Sequence, residues 1–145
     1  MSAPLPQPPA VGQLVRLAVF AAGEVEYAVA GRVPRSLPAP SPLPRAVRHA
    51  EALYPVVDLA EAFGLAAAPG GERLLFLVED GAVRRALVVE RLVGAESFDL
   101  ERVEPIPEIY PEAERRRFRG LLLRPDGGLV VLLRLEALAA GGGIA

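Results

Sequence analysis

"YPVVDLAEAFGL", residues 54–65, decides the fold of this chain. An apolar run rich in β-branched residues meets one acid, Asp58, and then restarts with a different rhythm. Asp58-Leu59-Ala60-Glu61 fits a capping box, in which the aspartate oxygen takes the N–H of the third helical residue and Glu61 reaches back. "LAEAF" then makes a short turn of helix, and Gly64 supplies a left-handed stop. No second carboxylate or histidine accompanies Asp58 at a spacing suited to acid–base chemistry. Asp58 is therefore read as the end of a strand and the start of a helix, not as a catalytic carboxylate.

Upstream, "LVRLAVFAAG" and "EVEYAVAGRV" flank a turn at Gly23-Glu24, and Val25, Tyr27 and Val29 alternate as on a half-buried strand. The following stretch, residues 34–45, carries five prolines and reads as a connecting loop, because proline lacks the N–H that a central strand needs. Downstream, "RLLFLVEDGAVRRALVVERLV" is a pair of strands around Asp80-Gly81, and "RGLLLRPDGGLVVLLRLEAL" turns at Pro125-Asp126-Gly127. Three hairpin signals with only brief helical pieces predict a mainly β fold.

The chain also echoes itself. "RLAVFAAGEVEYAVAGRV" aligns with "RLLFLVEDGAVRRALVVERLV", and "LYPVVDLAEAF" at 53–63 with "LVVLLRLEALA" at 129–139. A repeat at half the chain length predicts two related lobes, each a small closed barrel of five strands, with a boundary near residues 66–72. Residues 1–12, rich in Pro and Ala, read as disordered, and the Gly-rich 141–145 as a flexible tail.

Composition narrows the function. The 145 residues suit one compact domain. Cysteine is absent, which excludes disulfides, thiolate metal sites and a cysteine nucleophile. A single histidine, His49, leaves too little for a usual zinc site or a histidine-paired serine. Sixteen basic residues, all arginine, face 18 acidic ones. The resulting charge of −2 is a poor platform for nucleic acid. No apolar run nears the ~20 residues of a membrane-spanning helix, and the proline-broken N-terminus lacks the basic region of a secretory signal; the reading is a cytoplasmic protein. The arginine cluster "PEAERRRFRG", 111–120, reads as a solvated helix face around Phe118, and Glu79-Asp80 as part of a hairpin turn. No catalytic residue, cofactor or metal site emerges. What remains is a protein–protein interaction module, with strand edges and an inter-barrel seam as docking surfaces.

The residues resemble those of the CheW-like domain, the coupling module of bacterial chemosensory arrays. "FAAGEVEYAVAGRV" resembles its opening hairpin, "YPVVDLAEAFGL" its Pro-Val-Val-Asp-Leu stretch with the Gly-Leu that follows, and "RRFRGLLLRPDGGLVVLLRLEAL" its closing hairpin and helix. The likeness spans about residues 14–139, within a single domain of 13–140. It implies two SH3-like barrels with short helices and no catalysis. It also implies an adaptor between chemoreceptor tips and the regulatory domain of a CheA-type histidine kinase. By motif position, the receptor groove would draw on Val33, Arg73, Leu74 and Leu92. Where the family shows Asn-Leu-Arg-Gly, this chain has Arg48, His49, Ala50 and Glu51, and the familial arginine–glutamate pair is missing around Pro34-Arg35-Ser36. The shortened, proline-filled 34–46 segment predicts a missing or truncated strand in the first barrel. A diverged paralogue that binds receptors without coupling to the kinase, or an unrelated β-barrel interaction domain, would carry the same residues.

Overall fold

The computed structural model describes residues 14–64 and 72–138. The 1–12 segment, the 66–71 stretch and the 141–145 tail lie outside the described residues. Ten strands form two five-stranded sheets: β1 (Leu14–Ala22), β2 (Val25–Val29), β3 (Arg32–Pro38), β4 (Ala46–His49), β5 (Ala52–Asp58), β6 (Leu74–Asp80), β7 (Val83–Val89), β8 (Arg91–Asp99), β9 (Phe118–Leu123) and β10 (Leu129–Leu133). Two short helices, α1 (Leu59–Ala62) and α2 (Glu112–Arg115), and single 3-10 turns at Leu100–Arg102 and Leu135–Ala137 complete the described chain.

The first sheet runs β8-β1-β2-β10-β9 and the second β3-β6-β7-β5-β4. Replacing β1–β5 by β6–β10, and the reverse, turns one order into the other, so the echo in the sequence is an internal two-fold of the fold. The two halves of the chain are not the two barrels, however. Each half gives a hairpin to one sheet, crosses over, and gives its other three strands to the second. The expected division near 66–72 does not separate the sheets, since β5 and β6 on either side of it share one. Parallel pairs, β2 with β10 and β5 with β7, join the contributions of the two halves.

Period-two alternation explains why both sheets curl and meet. Along β6, Leu75 and Leu77 fill the interior of the second barrel, while Phe76 and Val78 face the other sheet. Along β7, Ala86 and Val88 point into that barrel and Leu87 and Val89 out of it. In the first sheet, Leu17, Val19, Ala28, Val130 and Leu132 fill the barrel; Phe20, Tyr27, Val29 and Leu133 join the layer between the sheets. These strands are apolar on both faces because both faces are buried. Each large side chain so buried contributes roughly 1.5–3 kcal/mol.

Three departures from the sequence reading concern the proline-rich stretch. It contains a strand: β3 pairs antiparallel with β6, and neither sheet lacks one. Pro34 is tolerated because β3 is an edge strand and the register shifts between Arg32 and Arg35, just where the missing N–H falls. Residues 39–45 then close the second barrel, with Leu43 packed on its interior and the Val56 N–H donating to the Arg45 carbonyl at 2.9 Å.

The hairpin turns follow local chemistry. Gly23 and Gly81, at φ 69° and 62°, take the first position of two-residue turns, the place glycine holds in a type II′ turn. The β4–β5 turn is different: Ala50 and Glu51 have φ of 49° and 65°, both left-handed and neither glycine. That conformation costs an L-residue about 1–2 kcal/mol. Replacing Ala50-Glu51 by Asn-Gly, the pair a type I′ turn prefers, is expected to stabilise the protein by about 1–2 kcal/mol. Urea unfolding checks it: the midpoint rises at unchanged slope.

Candidate interaction surfaces

Asp58 holds two positions at once. Its Oδ1 accepts from the Ala60 N–H at 3.1 Å, capping α1, and its Oδ2 accepts from Arg73 Nη1 at 2.9 Å. The cap bond goes to the second helical residue, not the third, and no bond from Glu61 back to Asp58 completes a box. Gly64 lies at φ 66° just past the helix, and its N–H donates to the Glu61 carbonyl at 3.3 Å. Arg73 is thereby drawn to the strand–helix junction, an ion pair the spacing of 15 residues did not announce.

Val33 and Leu74 are half-buried on the face of the second sheet that meets the first, both packed on the shared layer. Leu74 pairs with Pro38 and Arg32 with Glu79, so Val33 lies about four residues from Leu74 along the ladder, roughly 13 Å at the usual strand rise. Leu74 also faces Val89, three residues before Leu92, which is 46% exposed at the start of β8. Arg73 and Leu74 thus lie at the start of β6, Leu92 lies just past the β7–β8 crossover opposite Phe20, and Val33 lies at the β2–β3 crossover. Arg48, His49, Ala50 and Glu51 form the tip of the β4–β5 hairpin, at the opposite edge of the second sheet from β3.

Two polar clusters escaped the sequence reading. In the second barrel, Glu79 Oε2 accepts from the Tyr54 hydroxyl at 2.7 Å and Oε1 from Arg32 Nε at 2.9 Å, with Arg84 Nε 3.7 Å from Oε2. The Tyr54 bond, then Arg32, holds the Glu79 carboxyl below the usual carboxylate range, and the same bond raises the Tyr54 phenol. So an arginine–glutamate pair does join β3 to the neighbouring strand, through Arg32. In the first barrel, Arg124 donates to both oxygens of Glu96, at 2.9 and 2.8 Å, and lies 2.6 Å from Glu26 Oε1. This fork spans β8 and the end of β9, the two edges of the sheet, and keeps Arg124 firmly protonated. Tyrosine and arginine beside turns gave no pattern that pairs them across more than 20 residues.

A third feature is a cleft of about 350 Å³ where residues 106–110 pass over β2 and β10. The rings of Tyr27, Phe63 and Phe118 line it, with Tyr27 and Phe63 centroids 5.4 Å apart and Phe63 and Phe118 5.5 Å. Burial pushes the Tyr27 phenol up to about 12. Arg117 stacks over Phe63 and donates to the Ala62 carbonyl at 2.8 Å, so the arginine-rich stretch fastens α1 to β9. Ile109, on the outer side of the strap, is 87% exposed. Among the described residues, no helix is long and apolar enough to cross a membrane.

Paired five-stranded barrels sharing one apolar layer, with short helices after the parallel strands, define a CheW-like two-subdomain fold, a class of scaffold. The CheW-like domain model matches residues 20–141, and the chain belongs to that family, a family of chemotaxis scaffold proteins. Among solved structures, the chain is similar to the scaffolding protein TtCheW from Thermoanaerobacter tengcongensis, with 18% identity, a TM-score of 0.65, and coverage of 83% of this chain and 84% of that one. No curated protein matches the chain.

A carboxyl whose folded pKa is depressed favours the folded state above its unfolded value, about 4.3 for glutamate, and loses that contribution as pH falls through the folded value. Glu79 and Glu96 are both lowered. Stability is therefore expected to fall on acidification below about pH 4. Thermal unfolding across this range should give a flatter profile for Glu79→Gln with Glu96→Gln than for the parent chain.

Proposed function

We propose that this protein is a non-catalytic cytoplasmic adaptor that seats the helical tip of a chemoreceptor in the seam between its barrels and links it to a CheA-type histidine kinase. The observation that carries the reading is the partial cover of the shared layer at the crossovers. Val33 and Leu74 lie on its face yet keep part of their surface, and Leu92 is left exposed just past the β7–β8 crossover. Their spread of roughly 13 Å matches between two and three helical turns of 5.4 Å, the reach of apolar positions on one helix face. Arg73, tied to Asp58, positions the rim at Leu74.

Leu74 packs on the core, so a charge there threatens the fold; Leu92 does not carry that risk. Leu92→Glu is expected to abolish co-purification with a coiled-coil receptor-tip fragment while circular dichroism stays unchanged. Undiminished recovery of the fragment excludes the seam.

A second reading concerns the kinase. The hairpin tip Arg48-His49-Ala50-Glu51 departs from the familial Asn-Leu-Arg-Gly and replaces its glycine by a left-handed glutamate. This favours a specialised member with weak kinase coupling. Calorimetry against a kinase regulatory domain should then give an affinity weaker than micromolar, and a tighter value restores full coupling.

A further inference from the structure

The internal two-fold relates each strand of one sheet to a strand of the other, and at the edge formed by β9 and β4 the match fails. In the first barrel, the outer edge of β9 is closed by the chain itself. The Glu104 N–H donates to the Leu121 carbonyl at 2.9 Å and the Leu121 N–H to the Glu104 carbonyl at 2.8 Å. Gly120 leaves room for this approach, since a Cβ there would lie 2.6 Å from the Glu104 carbonyl oxygen.

The corresponding edge of the second barrel is β4. Leu121 faces Val131 and Ala46 faces Pro55, and Val131 and Pro55 hold the same place in the aligned stretches 129–139 and 53–63. In a hairpin with a two-residue turn, the flanking pair His49–Ala52 exchanges hydrogen bonds, and the bonded pairs then alternate through Val47–Tyr54 to Arg45–Val56. The last of these is the 2.9 Å bond from Val56 to Arg45. The N–H and C=O groups of Ala46 and Arg48 therefore point out of the sheet. Among the described residues, no backbone group bonds to them. The preceding segment turns inward instead, Ala39 bonding to Arg73 and Leu43 packing on the barrel interior.

The charge on this edge is also specific. Arg45 and Arg48 are exposed and His49 adjoins them, in a chain whose net charge is −2. The segment that closes the first barrel is acidic, with Glu104, Glu108, Glu112 and Glu114 in eleven residues. We propose that β4 is a strand-addition site for an extended, acidic segment of a partner protein, supplying to the second barrel what Glu104 supplies to the first. The main-chain groups of Ala46 and Arg48 set the register, and Arg45 and Arg48 select carboxylates. The site is independent of the seam between the barrels, so either can fail alone.

The test titrates a blocked Glu-Val-Glu-Val-Glu-Val peptide into the full chain and follows backbone amide shifts by NMR. Saturable shifts centred on residues 45–49 are expected. Binding should weaken at least tenfold when lysine replaces glutamate, and when alternate peptide nitrogens are methylated. The variant Ala46→Pro removes an outward N–H but no bond between β4 and β5, and it should weaken binding to the same extent. Absence of shifts at millimolar peptide, equal binding of the lysine peptide, or equal binding of the methylated peptide overturns the site. So does full binding by folded Ala46→Pro; should that variant not fold, the methylated peptide decides. Slow hydrogen exchange at Ala46 and Arg48 in the free chain, the mark of an edge already occupied by a terminus or a second copy, overturns it as well.

Discussion

A single layer of apolar side chains between two sheets is the constraint on which the rest of the structure depends. Phe20, Tyr27, Val29, Phe76, Val78, Leu87, Val89 and Leu133 all belong to it, and they come from both halves of the chain. Because a strand presents alternate residues to opposite faces, every strand that feeds this layer must also feed a barrel interior. Neither barrel can be removed without exposing one full face of the other.

The layer also accounts for the crossovers. Each half places a hairpin in one sheet and its remaining strands in the other, so burial between the sheets ties together residues distant in sequence. Gly31 stands at the β2–β3 crossover because a Cβ there would run into the Glu79 carbonyl oxygen. Polar ties sit at the margins. Among the described residues no charged side chain is buried, and the carboxylates of Glu79, Glu96 and Asp58 meet their arginines at barrel ends and at the strand–helix junction. In these positions ion pairs fix register at small desolvation cost, while the apolar layer supplies most of the stability.

The two proposed interaction surfaces lie where that plan runs out. The seam residues Val33 and Leu74 mark the end of the shared layer, and the β4 edge marks the place where the internal two-fold loses its clip. Neither requires a reactive group. Both are proposed as sites for polypeptide, one for a helix packing on apolar surface and one for a strand completing a ladder, in keeping with a family of scaffolds.

Local pattern alone determined β1, β2, β5, β6, β7, β9 and β10, the turns of the three hairpins among them and the cap at Asp58, because alternation, turn glycines and a capping aspartate act over a few residues; β4 and β8 were not read from it. The repeat was legible for the same reason. Which strands share a sheet was not, because the aligned halves exchange strands, and exchange leaves no mark on period or composition. The proline-rich stretch read as a loop, yet it holds an edge strand, since an edge needs only half of its N–H groups. The Arg32–Glu79–Tyr54 and Arg124–Glu96–Glu26 clusters, the Arg73–Asp58 pair and the open edge of β4 were decided by tertiary structure. Each depends on side chains or strands tens of residues apart meeting at a barrel margin, and only closure of the two sheets around their common layer brings them together.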